Sequence, residues 1–153
     1  VNEPKDLEDI RKLIGKKTFL ISKIETDNAI KNIKSILKKS NALLVDRGDL
    51  SRYVRIEKIP LAQRYICNVA KQNKTPVYVA TNLLESMVKN TQPTRAESND
   101  IFTTLENGAD GLVLAAESAI GSYPVLSAQF LKDCINVFFH KKKISKNNSY
   151  LFN

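Results

Sequence analysis

The sequence predicts an α/β fold in which four parallel strands alternate with helices. Three observations carry this. Short apolar runs of strand length alternate four times with segments of helical periodicity. The strand runs are continuously apolar rather than alternating, the pattern of a parallel sheet covered by helices. Successive strand starts also lie one βα unit apart, with no motif-level repeat between units. Two architectures fit these observations, a doubly wound open sheet and part of a (β/α)8 barrel. A complete barrel takes about 250 residues, so a chain of 153 residues supplies half of one.

The elements follow in order. Pro4 to Leu13 reads as a helix capped by Asn2 and stopped by Gly15, with Leu7, Ile10, Leu13 and Ile14 on one face. Thr18–Ile24 is the first strand. Asp27 opens a helix through Leu37, striped by Ile30, Ile33, Ile36 and Leu37. Ala42–Val45 is the second strand. Pro60–Gln72 is helical, with Leu61, Tyr65, Ile66 and Val69 inward, and Val77–Ala80 is the third strand. Thr94 and Glu97 have capping-box spacing before a helix that ends near Gly108. Gly111–Ala115 is the fourth strand. Ser122 or Tyr123 caps a last helix with Pro124 early and Val125, Phe130, Leu131, Ile135 and Phe138 apolar. Residues 1–140 are read as one domain, and 141–153 as a basic polar tail.

Composition narrows the function classes. Apolar residues make 42% and charged residues 26% of the chain, ordinary soluble values that exclude a wholly disordered or fibrous chain. No apolar run approaches the roughly 18 residues of a membrane span. The chain begins at Val1 rather than Met and reads as a processed or excised piece, so no targeting segment is read from it. The net charge of +8 comes mostly from scattered lysines. They are not interleaved with the aromatic residues that stack on bases, which argues against a nucleic-acid partner. Cys67 and Cys134 match no metal spacing and are read as unlinked core thiols of a reducing, cytoplasmic setting. His140, the single histidine, falls near a helix C-terminus and is read as a surface residue.

In either α/β architecture function gathers at the carboxyl ends of the strands. Here these ends read Ser22-Lys23-Ile24-Glu25, Asp46-Arg47-Gly48-Asp49, Ala80-Thr81-Asn82 and Ala115-Ala116-Glu117-Ser118, offering polar side chains to one rim. Strand alternation points Lys23 and Glu25 the same way. Glu25 and Asp49 on adjacent strand ends make an oxygen site for a hard divalent cation such as Mg²⁺. Lys23 beside them suits an anionic substrate or developing negative charge. Spacing alone slightly favours plain ion pairs, Lys23 with Glu25 and Arg47 with Asp49. Gly48 permits a close backbone approach or simply a turn.

At these same residues the sequence resembles the pyruvate kinase family, from about Val1 to Phe139. The segment Ile21-Ser22-Lys23-Ile24-Glu25 is similar to the family's active-site strand, and Arg47-Gly48-Asp49-Leu50 to its metal-binding turn. Ala80-Thr81, then Leu84-Glu85-Ser86-Met87 and Pro93-Thr94-Arg95-Ala96-Glu97, resemble its next strand end and loop. Several linked motifs in the right order are far more specific than any one alone. The resemblance implies half of a (β/α)8 TIM barrel, strands five to eight. It implies Mg²⁺-dependent phosphoryl transfer between phosphoenolpyruvate and ADP, giving pyruvate and ATP. In many members K⁺ takes part, with ligands in the barrel's other half. Lys23 would neutralise the phosphoryl group, Glu25 and Asp49 would hold the divalent ion, and the Gly48 and Asp49 backbone would contact the substrate carboxylate. Thr81 would lie by the enolpyruvate near its site of protonation.

The sequence departs from the family pattern in two motifs and in extent. Where the last strand commonly ends Ser-Gly-Glu-Thr-Ala-Lys-Gly, this chain has Ala115-Ala116-Glu117-Ser118-Ala119-Ile120-Gly121, a change that bears on nucleotide handling. In the turn usually written Ala-Arg-Gly-Asp-Leu-Gly, Asp46 and Ser51 replace the two ends. The first four strands, the lid domain and the regulatory domain fall outside the sequence. The alternative reading is therefore a non-catalytic module that binds pyruvate or phosphoenolpyruvate. Four parallel strands leave open edges and a bare face bearing Phe19 and Ile21, so a homo-oligomer or the barrel's other half is expected to close it.

Overall fold

A computed structural model describes residues 1–15 and 17–144, with side chains as far as His140. The helices are α1 (Pro4–Ile14), α2 (Asp27–Lys31), α3 (Ile33–Leu37), α4 (Arg47–Leu50), α5 (Ile59–Gln72), α6 (Arg95–Glu106), α7 (Ala116–Ala119) and α8 (Pro124–Ile144). The strands are β1 (Ile21–Ile24), β2 (Ala42–Asp46), β3 (Val77–Ala80) and β4 (Gly111–Val113). Single 3-10 turns cover Ile56–Lys58 and Glu85–Val88. Two compact units emerge: Val1–Asn82 with Glu106–Val113, and Leu83–Leu105 with the chain from Leu114 onward.

The first unit holds the whole sheet. All pairings are parallel and the strand order is β1-β2-β3-β4. A doubly wound sheet reverses its strand order at a switch point. This sheet has no reversal, so of the two architectures it follows the barrel's sequential order. The fold is α/β, with four parallel strands alternating with helices, as expected.

Register explains the burial. Ile24, Val45, Val79 and Leu112 lie side by side, as do Ser22 and Leu43, with Leu43 beside Val77. This row packs under the helices with Ile33, Ile36, Leu50, Ile66 and Cys67, and it forms the core. The opposite face carries Ile21, Lys23, Leu44 and Tyr78. It is only partly covered, and Ile21 and Phe19 are 45% and 61% exposed. The expectation of strands buried on both faces therefore holds for one face. An apolar face of this kind needs strands or side chains beyond these four to fill it. Opposite Tyr78 stands Gly111, and a Cβ there would lie 2.5 Å from the Tyr78 ring.

Several local expectations are corrected. Glu3, not Asn2, takes the N-cap position of α1, and Asp6 Oδ2 accepts from the Glu3 N–H at 3.1 Å. Of the apolar face of α1 only Leu7 is buried, and Leu13 is 87% exposed. The single helix expected over 27–37 is two short helices broken at Asn32. On α5 Ile66 and Val69 are buried as expected, together with Ile59, Gln63, Cys67 and Ala70, while Leu61 and Tyr65 face outward. The buried face follows i, i+4, i+7, i+11 spacing from Ile59, one residue earlier than the expected start.

In the second unit the capping box forms as expected. The Thr94 N–H and hydroxyl both donate to Glu97 Oε2, and the Glu97 N–H donates back to Thr94 Oγ1. Helix α8 buries Ser127, Leu131 and Cys134, while Val125 stays exposed. Because α8 runs to Ile144, it enters the expected tail, whose remainder from 145 lies outside the described residues. Both cysteines are free and buried.

Candidate functional site

The strand ends of the first unit build the site. In the register, Lys23 pairs with Leu44, Leu44 with Tyr78 and Asp46 with Ala80. Lys23, Leu44 and Asp46 therefore share the face away from the helices. β1 passes through Glu25 to Thr26, whose side chain caps α2 by accepting from the Ala29 N–H at 3.1 Å. β2 ends at Asp46, whose Oδ1 accepts from the Asp49 N–H at 3.3 Å and caps the turn of α4. These caps fix where Glu25 and Asp49 emerge.

Lys23 stands at the focus of three carboxylates. Its Nζ is 3.0 Å from Glu25 Oε2, 3.0 Å from Asp46 Oδ2 and 3.5 Å from Asp49 Oδ2. One oxygen from each acid lies within 4.8 Å of the others. The hydrogen bonds to Asp46 and then Glu25 hold the Lys23 ammonium well above its ordinary range, burial opposing them. For Asp46, burial pushes the carboxyl up. The Lys23 ammonium and the Asp49 N–H outweigh it and hold the group below the usual carboxylate range.

Sequence reasoning paired Glu25 with Asp49 and treated Asp46 only as a departure at one end of the turn. The structure makes Asp46 a full member. The signal was present: alternation places Asp46 two residues beyond Leu44, on the face of Lys23. Of the ion pairs foreseen as the alternative, Lys23–Glu25 forms. Arg47 instead donates Nε and Nη2 to the Thr81 carbonyl at 3.0 and 2.6 Å. Asp49 pairs with Lys23 and, at 3.7 Å, with Arg52.

Thr81 and Gly48 meet at the next strand end. The Gly48 N–H donates to Thr81 Oγ1 at 2.8 Å. The Thr81 hydroxyl in turn reaches the Ala80 carbonyl at 2.6 Å and Asp46 Oδ1 at 3.3 Å. A Cβ at Gly48 would lie 3.4 Å from Thr81 Oγ1, an ordinary contact distance, and the φ of Gly48 is not positive, so neither crowding nor backbone conformation requires the glycine here. Thr81 itself has φ of 71° and Asn82 of 54°. A β-branched residue in that region is a genuine outlier, and such outliers gather at functional sites.

The structure thus brings together Lys23, Glu25, Gly48, Asp49 and Thr81, all five candidate residues, and adds Asp46 and Arg47. A hard divalent cation prefers oxygen ligands, one or two of them carboxylates. A trio of acid oxygens at this spacing fits that donor set. The fourth strand end differs from expectation. Glu117 is buried in the second unit, where it accepts from the Leu84 N–H at 3.2 Å and the Ala115 N–H at 2.9 Å. It ties the backbone at Leu84 to that at Ala115 rather than offering a polar group outward.

The family model described as "Pyruvate kinase, barrel domain" matches residues 1–128. The pyruvate kinase of Thermoplasma acidophilum is 38% identical over 155 residues, covering 99% of this chain and 28% of that protein. That of Thermotoga maritima is 43% identical over 135 residues, 86% of this chain and 29% of the relative. The cytosolic pyruvate kinase isozyme of Nicotiana tabacum is 43% identical over 142 residues, 88% of this chain and 27% of the relative. The chain therefore spans less than a third of the length of the curated relatives it matches. Among the described residues no helix is long and apolar enough to cross a membrane.

Proposed function

The chain belongs to the pyruvate kinase family, in its barrel domain, and from that premise we propose that it carries the phosphoryl-transfer half of such a barrel. The reaction moves the phosphoryl group of phosphoenolpyruvate to ADP, giving pyruvate and ATP. The isolated chain is inactive in this reading, because the other strands and the K⁺ ligands come from the barrel's other half or from a second copy. The half-exposed face bearing Phe19 and Ile21 supports such closure. The tobacco relative is named a cytosolic isozyme, and a cytoplasmic place is proposed here on the same ground.

The observation that carries the reading is the Lys23 ammonium within 3.5 Å of three strand-end carboxylates. Phosphoryl transfer relies on positioning and charge stabilisation more than on covalent chemistry. Glu25 and Asp49 would hold Mg²⁺, which when bound draws charge from phosphoryl oxygens. Lys23 balances the negative charge of the group in transfer. The Gly48 and Asp49 N–H groups orient the substrate carboxylate, and their present acceptors, Thr81 Oγ1 and Asp46 Oδ1, are ones a carboxylate can share or replace. The Thr81 hydroxyl lies by the enolpyruvate carbon that takes up the proton.

The test is pyruvate formation from phosphoenolpyruvate and ADP by the natural polypeptide carrying this sequence, with and without Mg²⁺. K23M, E25Q and D49N should each lose about 10²–10³-fold in kcat or more. Turnover unchanged in all three would overturn the reading.

A second reading is favoured by one feature. The last strand end carries Ala115 and Ala116, and Ile120 is 80% exposed where the family pattern has lysine. This suits a module that binds pyruvate or phosphoenolpyruvate without handling nucleotide. Calorimetry separates the two, since the module binds oxalate with Mg²⁺ but not ADP.

A further inference from the structure

Asp46 divides its carboxylate between two tasks. Oδ1 accepts from the Asp49 N–H and lies 3.3 Å from the Thr81 hydroxyl. Oδ2 lies 3.0 Å from Lys23 Nζ. The side chain is almost fully buried, with the residue 8% exposed. Its own conformation is therefore fixed from the Oδ1 side, and Oδ2 is a rigid acceptor for the ammonium.

Lys23 is the mobile partner. Its four-carbon stem leaves the ammonium free to turn, and its side chain is 44% exposed. Its other contacts are Glu25 Oε2 and Asp49 Oδ2, the oxygens assigned above to the divalent cation. Two cations cannot share those oxygens at contact distance, because the carboxylate–metal separation is only about 2 Å and the charges repel. A cation arriving there expels the ammonium from both. Asp46 Oδ2 is then the acceptor that remains, held in place independently of Lys23.

We propose that Asp46 is a positioning residue that keeps the Lys23 ammonium beside the site when a divalent cation takes Glu25 and Asp49. The proposal rests on the reading of Glu25 and Asp49 as cation ligands. Asp46 departs from the family pattern, whose turn usually has alanine at this place. The consequence of the proposal is that Asp46 reduces the competition of Lys23 with the cation for the same oxygens.

The experiment is a double-substitution cycle read by Mn²⁺ binding, followed through the electron paramagnetic resonance of free Mn²⁺, on the natural polypeptide without substrates. The four proteins are the natural one, D46N, K23M and D46N/K23M. Losing Asp46 removes a nearby negative charge in either background, so some weakening is common to both. With Lys23 present the unheld ammonium adds its competition. The D46N loss of Mn²⁺ affinity is therefore expected to be at least about fivefold larger with Lys23 than in K23M, a coupling of ordinary size for contacting residues.

An equal or smaller loss with Lys23 present would overturn the proposal and make Asp46 a third cation ligand or a mere source of charge. Asn at this position retains an oxygen for the Asp49 N–H, and thermal unfolding checks that the fold is kept. Should D46N fail to fold, Asp46→Ser, which also keeps a capping oxygen, repeats the cycle under the same criterion. E25Q and D49N separate this proposal from the reading beneath it. Mn²⁺ binding indifferent to both substitutions overturns the assignment of the cation ligands, and the role of Asp46 falls with it.

Discussion

Arg47 grips Thr81 by its backbone: Nε and Nη2 both donate to the Thr81 carbonyl, at 3.0 and 2.6 Å, where the Thr81 φ is 71°. A threonine in that region costs about 1–3 kcal/mol and persists only when its surroundings over-determine it. The guanidinium fork supplies two charge-assisted bonds to one oxygen, and the Gly48 N–H holds the side chain. R47M should lower stability by about 2–3 kcal/mol, read from a urea titration. Thr81→Gly in the R47M background should recover about 1 kcal/mol, because glycine carries no penalty at positive φ. An unchanged urea midpoint for R47M would contradict the clamp.

Gly111 and Tyr78 are cross-strand partners, and a Cβ at 111 would lie 2.5 Å from Tyr78 Cδ1 and 2.9 Å from Cε1. The ring must swing or the strand must shift, and overpacking of this kind costs about 1–3 kcal/mol. G111A should therefore lower the thermal midpoint. Tyr78→Leu in the G111A background should restore part of the loss, since leucine leaves room for the methyl group. Equal destabilisation in both backgrounds would show that the ring is not the obstacle.

The sequence order of strands and helices was legible because each buried strand is a compact apolar run and some helix ends carry a recognisable cap or stop residue. Thr94 with Glu97 and Gly15 after α1 are cases where a local rule decides the structure. Ile33, Ile36, Ile66, Val69 and Leu131 face inward as periodicity predicts, but the inference failed for other apolar residues. Leu13 and Leu61 satisfy helical periodicity yet lie exposed, because periodicity defines a face but not whether anything covers it. The five candidate residues were chosen from strand ends and motif order, and the structure places them side by side. Asp46 was missed as a participant because it was read as a departure from a motif and not by its place on the strand face. Arg47 was missed because its target is a backbone carbonyl, which leaves no trace in side-chain chemistry.

Cys67 and Cys134 should be silent thiols in the folded protein. Burial pushes the Cys67 thiol up to about 11, with the Asp110 charge adding to it. Burial likewise raises Cys134, against a hydrogen bond with Ser98. The thiolate is the reactive form, and a shift of two units lowers its population about 100-fold at pH 8. Ellman's reagent should label neither cysteine in native protein and both in urea. Rapid native labelling of Cys67 would show that the α5 face opens.

Glu97 ties the loop after β3 to the start of α6, and this connection should set an acid limit on the second unit. Its Oε1 accepts from the Ser86 N–H at 2.7 Å, while Oε2 accepts from the Ser86 hydroxyl at 2.5 Å, the Thr94 N–H at 2.7 Å and the Thr94 hydroxyl at 2.9 Å. Burial alone would raise its pKa, but the Ser86 and Thr94 bonds outweigh it and hold the carboxyl below the ordinary value of 4.5. A depressed carboxylate contributes stability above its unfolded pKa and loses it as pH falls through the folded value. E97Q offers one acceptor oxygen where two served four donors, and its amide hydrogens face those donors. The expected loss is about 1–3 kcal/mol at pH 7, seen as a lower thermal midpoint. Below the folded pKa the natural carboxyl is itself neutral, so the gap between the two proteins should close as pH falls below 4.5. A gap as wide at pH near 3 as at pH 7 would mean that the charge of Glu97 contributes nothing, and that only the shape of its side chain holds the loop.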